Sequence, residues 1–160
     1  MKGMNKINKT DLLIYIISAE LAGALSALFS GGFSGFYSEL ARPAFSPPAW
    51  LFPVVWTILY AVMGISAYMI HSSEGDEDGR KKALAVYWIQ LFVNFSWSIV
   101  FFRLRLLTAS VAVIITLIIL IMVMIKLFRD ICPLAGKINI PYLIWVVFAA
   151  YLNIATAIIN

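Results

Sequence analysis

Residues 40–64, LARPAFSPPAWLFPVVWTILYAVMG, decide the reading of this chain, because a loop rich in proline and aromatic residues runs directly into a hydrophobic helix. Pro43, Pro47 and Pro48 remove backbone donors and disfavour helix in the residues before them. The loop is therefore expected to be stiff and extended until Pro48 or Ala49 opens a helix. A rigid aromatic lid over a helix bundle points to a ligand site.

Working outward, the rest of the chain is equally apolar. Hydrophobic residues make up 62% of the 160, charged residues 12%, and mean hydropathy is +0.93, which excludes an ordinary water-soluble domain of this length. Apolar runs fall at about 11–30, 49–71, 83–102, 106–128 and 139–159, each near the roughly 20 residues that cross a bilayer. The expectation is an all-α integral membrane bundle of five transmembrane helices, without an internal repeat or a second domain. Separators are the segment 31–48, the polar HSSEGDEDGRKK at 71–82, the tight Arg103–Arg105 turn and RDICPLAGKIN at 129–139. The lysines at 2, 6 and 9 imitate a signal peptide, but the run from Leu12 to Phe29 is long enough to be read as a retained first span.

Five spans place the termini on opposite faces. Lys2, Lys6, Lys9, Arg80, Lys81, Lys82, Lys126, Arg129 and Lys137 share the N-terminal side; Arg42, Arg103 and Arg105 share the other. The positive-inside rule then puts the N-terminus in the cytoplasm, with the proline-rich loop and the C-terminus outside. The net charge of +4 follows from this topology and from attraction to anionic membrane lipid, so no nucleic acid partner is implied. Cys132 alone excludes an internal disulfide, and His71 alone leaves no metal cluster or bis-histidine haem site.

Within the spans, polar and small residues fall on particular faces. Ser18, Ala19, Ala22, Gly23, Ser26, Ala27 and Ser30 give the first span a nearly flat face, suited to close helix contact or to a broad, flat ligand. Glu20, near the middle of the same span, costs about 3 kcal/mol unless it faces the interior, pairs or takes up a proton. In the third span Gln90, Asn94 and Ser98 recur every four residues and so share one stripe, with Trp97 at its edge. Interhelical hydrogen bonding and ligand contact are both open to that stripe. Pro53, Trp56, Tyr60 and Gly64 share a face of the second span, as Pro141, Trp145, Ala149 and Asn153 do of the fifth. Such a set suits a planar aromatic guest. Trp50 and Trp88 read as interfacial anchors.

The order of these motifs resembles the translocator protein family, also called TspO, tryptophan-rich sensory protein or peripheral benzodiazepine receptor. ELAGALSALF, ARPAFSPPAWLFPVVWTILYAVMG, QLFVNFSWSIVFF and PYLIWVVFAAYLN carry the resemblance, which spans most of the chain and makes residues 1–160 a single TspO-like domain. It implies a five-helix bundle, often a homodimer in the bacterial cytoplasmic membrane. Such proteins bind tetrapyrroles such as protoporphyrin IX and haem, and isoquinoline and benzodiazepine drugs. No cofactor is required; porphyrin or haem is the ligand. The family's pocket maps onto Trp56, Asn94, Ser98, Trp145 and Ala149, beside Trp97, with Tyr37 and Phe45 as the lid.

Relatives commonly have Trp-Tyr at Phe36-Tyr37 and Ser-Trp-x-Pro-Pro at residues 44–48. Both replacements keep an apolar ring and lose an indole N–H. The C-terminal YLNIATAIIN has no Lys or Arg after Tyr151, so the pattern proposed for cholesterol recognition is absent. The leading expectation is tetrapyrrole binding, with transport or sensing as its use and Arg42 as a partner for the ligand's carboxylates. The alternative is light- and oxygen-dependent porphyrin degradation through Trp56 and Trp145, although the sequence supplies no acid–base pair, nucleophile or metal set for catalysis.

Overall fold

The computed structural model describes residues 8–31 and 39–160, and every long element in it is a helix. Five helices are long and apolar enough to cross a membrane. Helix α1 is Lys9–Phe29, α2 is Leu51–His71, and α3 is Glu77–Ser98, prolonged by a wider π turn over Ile99–Arg103. Helix α4 is Leu107–Ile131; a single helical turn, Pro133–Lys137, leads into α5, Ile140–Ile159.

The spans lie where hydropathy puts them, and the corrections concern their ends. Leu51, rather than Pro48 or Ala49, opens α2. Charged residues 77–82, expected in a loop, form the first turns of α3: the Asp76 side chain accepts from Asp78 N–H, and Lys81 pairs with Glu77 at 2.7 Å one turn away. Most of the expected 129–139 connector is helical as well. There Cys132 in an extended conformation breaks the path, and Pro133 begins the next turn without losing a needed donor.

Neighbouring helices run α2–α1–α3–α4–α5, with α2 also touching α3 and the Pro133–Lys137 turn. Opposite this row, α2 meets α5 through rings: Trp56 on Tyr142 at 6.3 Å and Phe52 on Trp145 at 6.0 Å. The outside is the apolar side, as a bilayer demands: Leu28, Ile58, Phe92 and Ile144 are each more than half exposed. Gln90, Asn94, Ser110, Asn139 and Asn153 are buried inside instead. Helix α1 is the most peripheral span, burying only Ala19 and Ser26.

Two glycines set the α1–α2 contact. A Cβ on Gly64 would stand 2.6 Å from Ile16 Cα and 2.7 Å from Tyr15 O, so only glycine admits this approach of the backbones. Further along, Gly23 lies against the Tyr60 ring, where a Cβ would collide with Cε2. Beyond that point, toward the end of the bundle that carries the 39–50 segment, the two helices leave space between them.

Candidate ligand cleft

That space is a cleft of about 190 Å³ between α1, α2 and the end of α3. Gly23, Ala24 and Ala27 form its flat wall, and Pro53, Trp56 and Tyr60 stand opposite. The Trp56 and Tyr60 rings are 5.5 Å apart and inclined at 31°; Gly23 covers the buried Tyr60 ring, so Trp56 offers most of the open aromatic surface. Ser98 contributes from α3, and Thr57 and Ala24 lie at the exposed mouth. Glu20 lines the inner end, with no hydrogen-bond or ion-pair partner among the described residues. Small residues on one helix facing rings on another make a slot suited to a flat apolar body, with hydroxyls and one carboxyl giving direction.

The residues expected to form one pocket are divided. Trp56 and Ser98 line the cleft. Trp97, although adjacent to Ser98 on α3, turns the other way, into a separate void of about 30 Å³ shared with Phe52, Ala149 and Asn153. There the Trp97 indole donates to Asn153 Oδ1 at 3.0 Å, while Asn153 Nδ2 donates to Ser110 Oγ at 2.9 Å, binding α3, α4 and α5 together. Trp145 packs edge-on against Phe52, and its buried Nε1 has no acceptor among the described residues.

Asn94 belongs to neither hollow. Its Nδ2 donates to Tyr142 Oη at 2.8 Å, its Oδ1 accepts from Tyr60 Oη at 3.4 Å, and the Tyr142 hydroxyl donates to Gln90 Oε1 at 2.8 Å. Gln90 Nε2 ends the chain 3.7 Å from the Met63 sulfur. Of the Gln90–Asn94–Ser98 stripe, two members thus spend their polarity on interhelical bonds and one reaches the cleft. The expectations missed Tyr142, although a phenol on so apolar a helix needs a partner, and that need was the available signal.

The 39–50 segment does not place Phe45 over the cleft. Phe45 sits at φ 63° and is 85% exposed, in a turn closed by Ser46 Oγ donating to Pro43 O at 2.7 Å. The segment is fastened instead to α5 and to the turn before α4. Ala41 N–H donates to Asn160 Oδ1 at 2.9 Å, Tyr151 Oη donates to Ala44 O at 3.1 Å, and Arg105 pairs with Glu39 at 3.4 Å. Arg42 is exposed between these attachments and does not line the cleft. The other lid residue, Tyr37, lies outside the described residues, as does Phe36. Trp50 and Trp88 are both outward, 66% and 44% exposed.

Five apolar spans around a polar hydrogen-bonded interior, with a lateral cleft on one side, define a polytopic α-helical membrane protein. Residues 14–159 match the TspO/MBR family over nearly the whole of that bundle. The chain belongs to the TspO/MBR family. It is similar to protein CrtK of Rhodobacter capsulatus, 34% identical over 94% of this chain and 93% of the relative. The tryptophan-rich sensory protein of Cereibacter sphaeroides is 33% identical over 78% of this chain and 77% of its own length. The translocator protein of Sus scrofa is 32% identical over 74% and 70%.

Proposed function

We propose that the chain binds a planar hydrophobic ligand of the tetrapyrrole class, edge-on in the cleft between α1 and α2. The observation that carries this reading is the flat Gly23–Ala24–Ala27 wall facing the Trp56 and Tyr60 rings. A volume of about 190 Å³ is below the roughly 300–1,000 Å³ of pockets that enclose drug-sized ligands. A macrocycle would therefore project past Ala24 and Thr57 into lipid, which suits a ligand that itself partitions into membranes. Arg42, Arg103 and Arg105 share one end of the bundle, so the ligand's acidic edge would face that end. The relatives' names, sensory and translocator, fit binding coupled to signalling or movement.

Titration of the purified protein with protoporphyrin IX, followed by quenching of tryptophan fluorescence, tests the proposal. Saturation at one ligand per chain is expected. Ala27→Phe, which fills the slot, should weaken binding at least tenfold, and Ala24→Phe at the exposed mouth should act similarly without disturbing the core. Arg42→Ala should lower both affinity and its salt dependence. Unsaturable quenching, or unchanged affinity in both cleft-filling variants, overturns the assignment.

A further inference from the structure

At the other end of the bundle, which carries the N-terminus, the chain makes a further hollow, unrelated to the cleft. Lys126, Arg129 and Lys137, with Asp130 and Pro133, surround an open space of about 500 Å³ where α4 ends and the Pro133–Lys137 turn folds back. Three cations against one carboxylate leave a surplus of two positive charges, and none of the four is in an ion pair among the described residues. The last carbonyls of α4 attract cations to its final turn, which accounts for Arg129. They do not account for Lys137, which comes from the following turn.

The hollow is also built rather than incidental. Gly136 lies so close to α4 that a Cβ there would collide with Arg129 Cγ and stand 2.8 Å from Ile125 O. The short turn is thereby pressed along the Arg129 stem, bringing Lys137 beside Arg129. Its depth is fixed by sequence: residues 106–125 contain no charge, and Lys126 is the first after them. A run of that length fills the hydrocarbon core, so the three cations stand at the headgroup level. One turn before Lys126 on the same helix, Met122 and Val123 present apolar side chains outward, 47% and 42% exposed. Cations above an outward apolar surface match one kind of molecule, an acyl lipid with an anionic phosphate head.

We propose that the hollow formed by Lys126, Arg129 and Lys137 is a binding site for the headgroup of an anionic phospholipid. Its acyl chains lie along Met122 and Val123. The full chain in neutral detergent, titrated with phosphatidylglycerol or phosphatidylcholine and read by native mass spectrometry, tests this. Phosphatidylglycerol should be retained at one preferred site, with at least a tenfold preference over phosphatidylcholine. Alanine at 126, 129 or 137 should each lower phosphatidylglycerol affinity about fivefold, and the triple variant about a hundredfold. Lys81→Ala with Lys82→Ala, which removes two charges from the same end outside the hollow, should change it less than twofold. Equal retention of the two lipids, or a triple variant that keeps the preference, overturns the proposal. Displacement of phosphatidylglycerol by millimolar inorganic phosphate would make this a small-anion site and overturn the lipid assignment.

Discussion

Removing the Tyr142 hydroxyl puts the buried hydrogen-bond chain to a quantitative test. That hydroxyl accepts from Asn94 and donates to Gln90, both at 2.8 Å, and all three side chains are essentially without solvent contact. In Tyr142→Phe the ring and its packing on Trp56 remain, and two hydrogen bonds go. Side-chain hydrogen bonds inside membrane proteins average about 0.6 kcal/mol and reach about 1.7 kcal/mol. Two of them set the loss at about 1–3 kcal/mol. The upper part is expected here, because an Asn94 donor and a Gln90 acceptor are left unpaired in the buried interior of the bundle.

Reversible unfolding in mixed detergent micelles, followed by circular dichroism, measures the change. Tyr151→Phe is the matched control: its partly exposed hydroxyl donates to Ala44 O at 3.1 Å, and its loss should cost under about 0.5 kcal/mol. A double-mutant cycle of Tyr142→Phe with Gln90→Leu should give a coupling of about 0.5–2 kcal/mol, since each removes one end of the same bond. Equal stability of Tyr142→Phe and wild type, with zero coupling, would refute the claim that this chain holds α3 to α5.

Two further substitutions probe the frame of the bundle. Gly64→Ala should destabilise by about 1–3 kcal/mol in the same unfolding assay, because the new Cβ meets the Ile16 and Tyr15 backbone and no flexible side chain can yield. Asp76→Ala should cost about 1 kcal/mol at the start of α3 and appear as faster amide exchange over Glu77–Arg80, with the core of the helix still protected.

The five spans were legible because bilayer hydropathy is a long-window property that single residues hardly disturb. Helix ends were less so. Glu77 to Lys82 reads as a loop by composition, while the Asp76 cap, the Glu77–Lys81 pair and the Arg80 bond to Ser73 O support it as helix. Of the residues lining the cleft, Trp56 and Ser98 are legible in the helical periodicity, and Gly23 and Ala27 in the flat face of α1. Periodicity gives the face of one helix and says nothing of the element opposite. It could not reveal that Tyr142 answers Gln90 and Asn94, nor that Trp97 and Ser98, one residue apart, serve different hollows.

This division alters how substitutions in the bundle are to be read. Asn94 touches neither hollow, yet through Tyr60 it fixes the ring that forms one side of the cleft, and through Tyr142 it supports the ring on which Trp56 leans. An Asn94 variant that loses ligand affinity would therefore have lost the position of two aromatic walls, with no direct contact broken. The Ala27 and Ala24 substitutions act differently, since they occupy the slot and leave the hydrogen-bond chain intact. A parallel loss of stability and affinity at Asn94, against a loss of affinity alone at Ala24, is the pattern that separates the frame from the site.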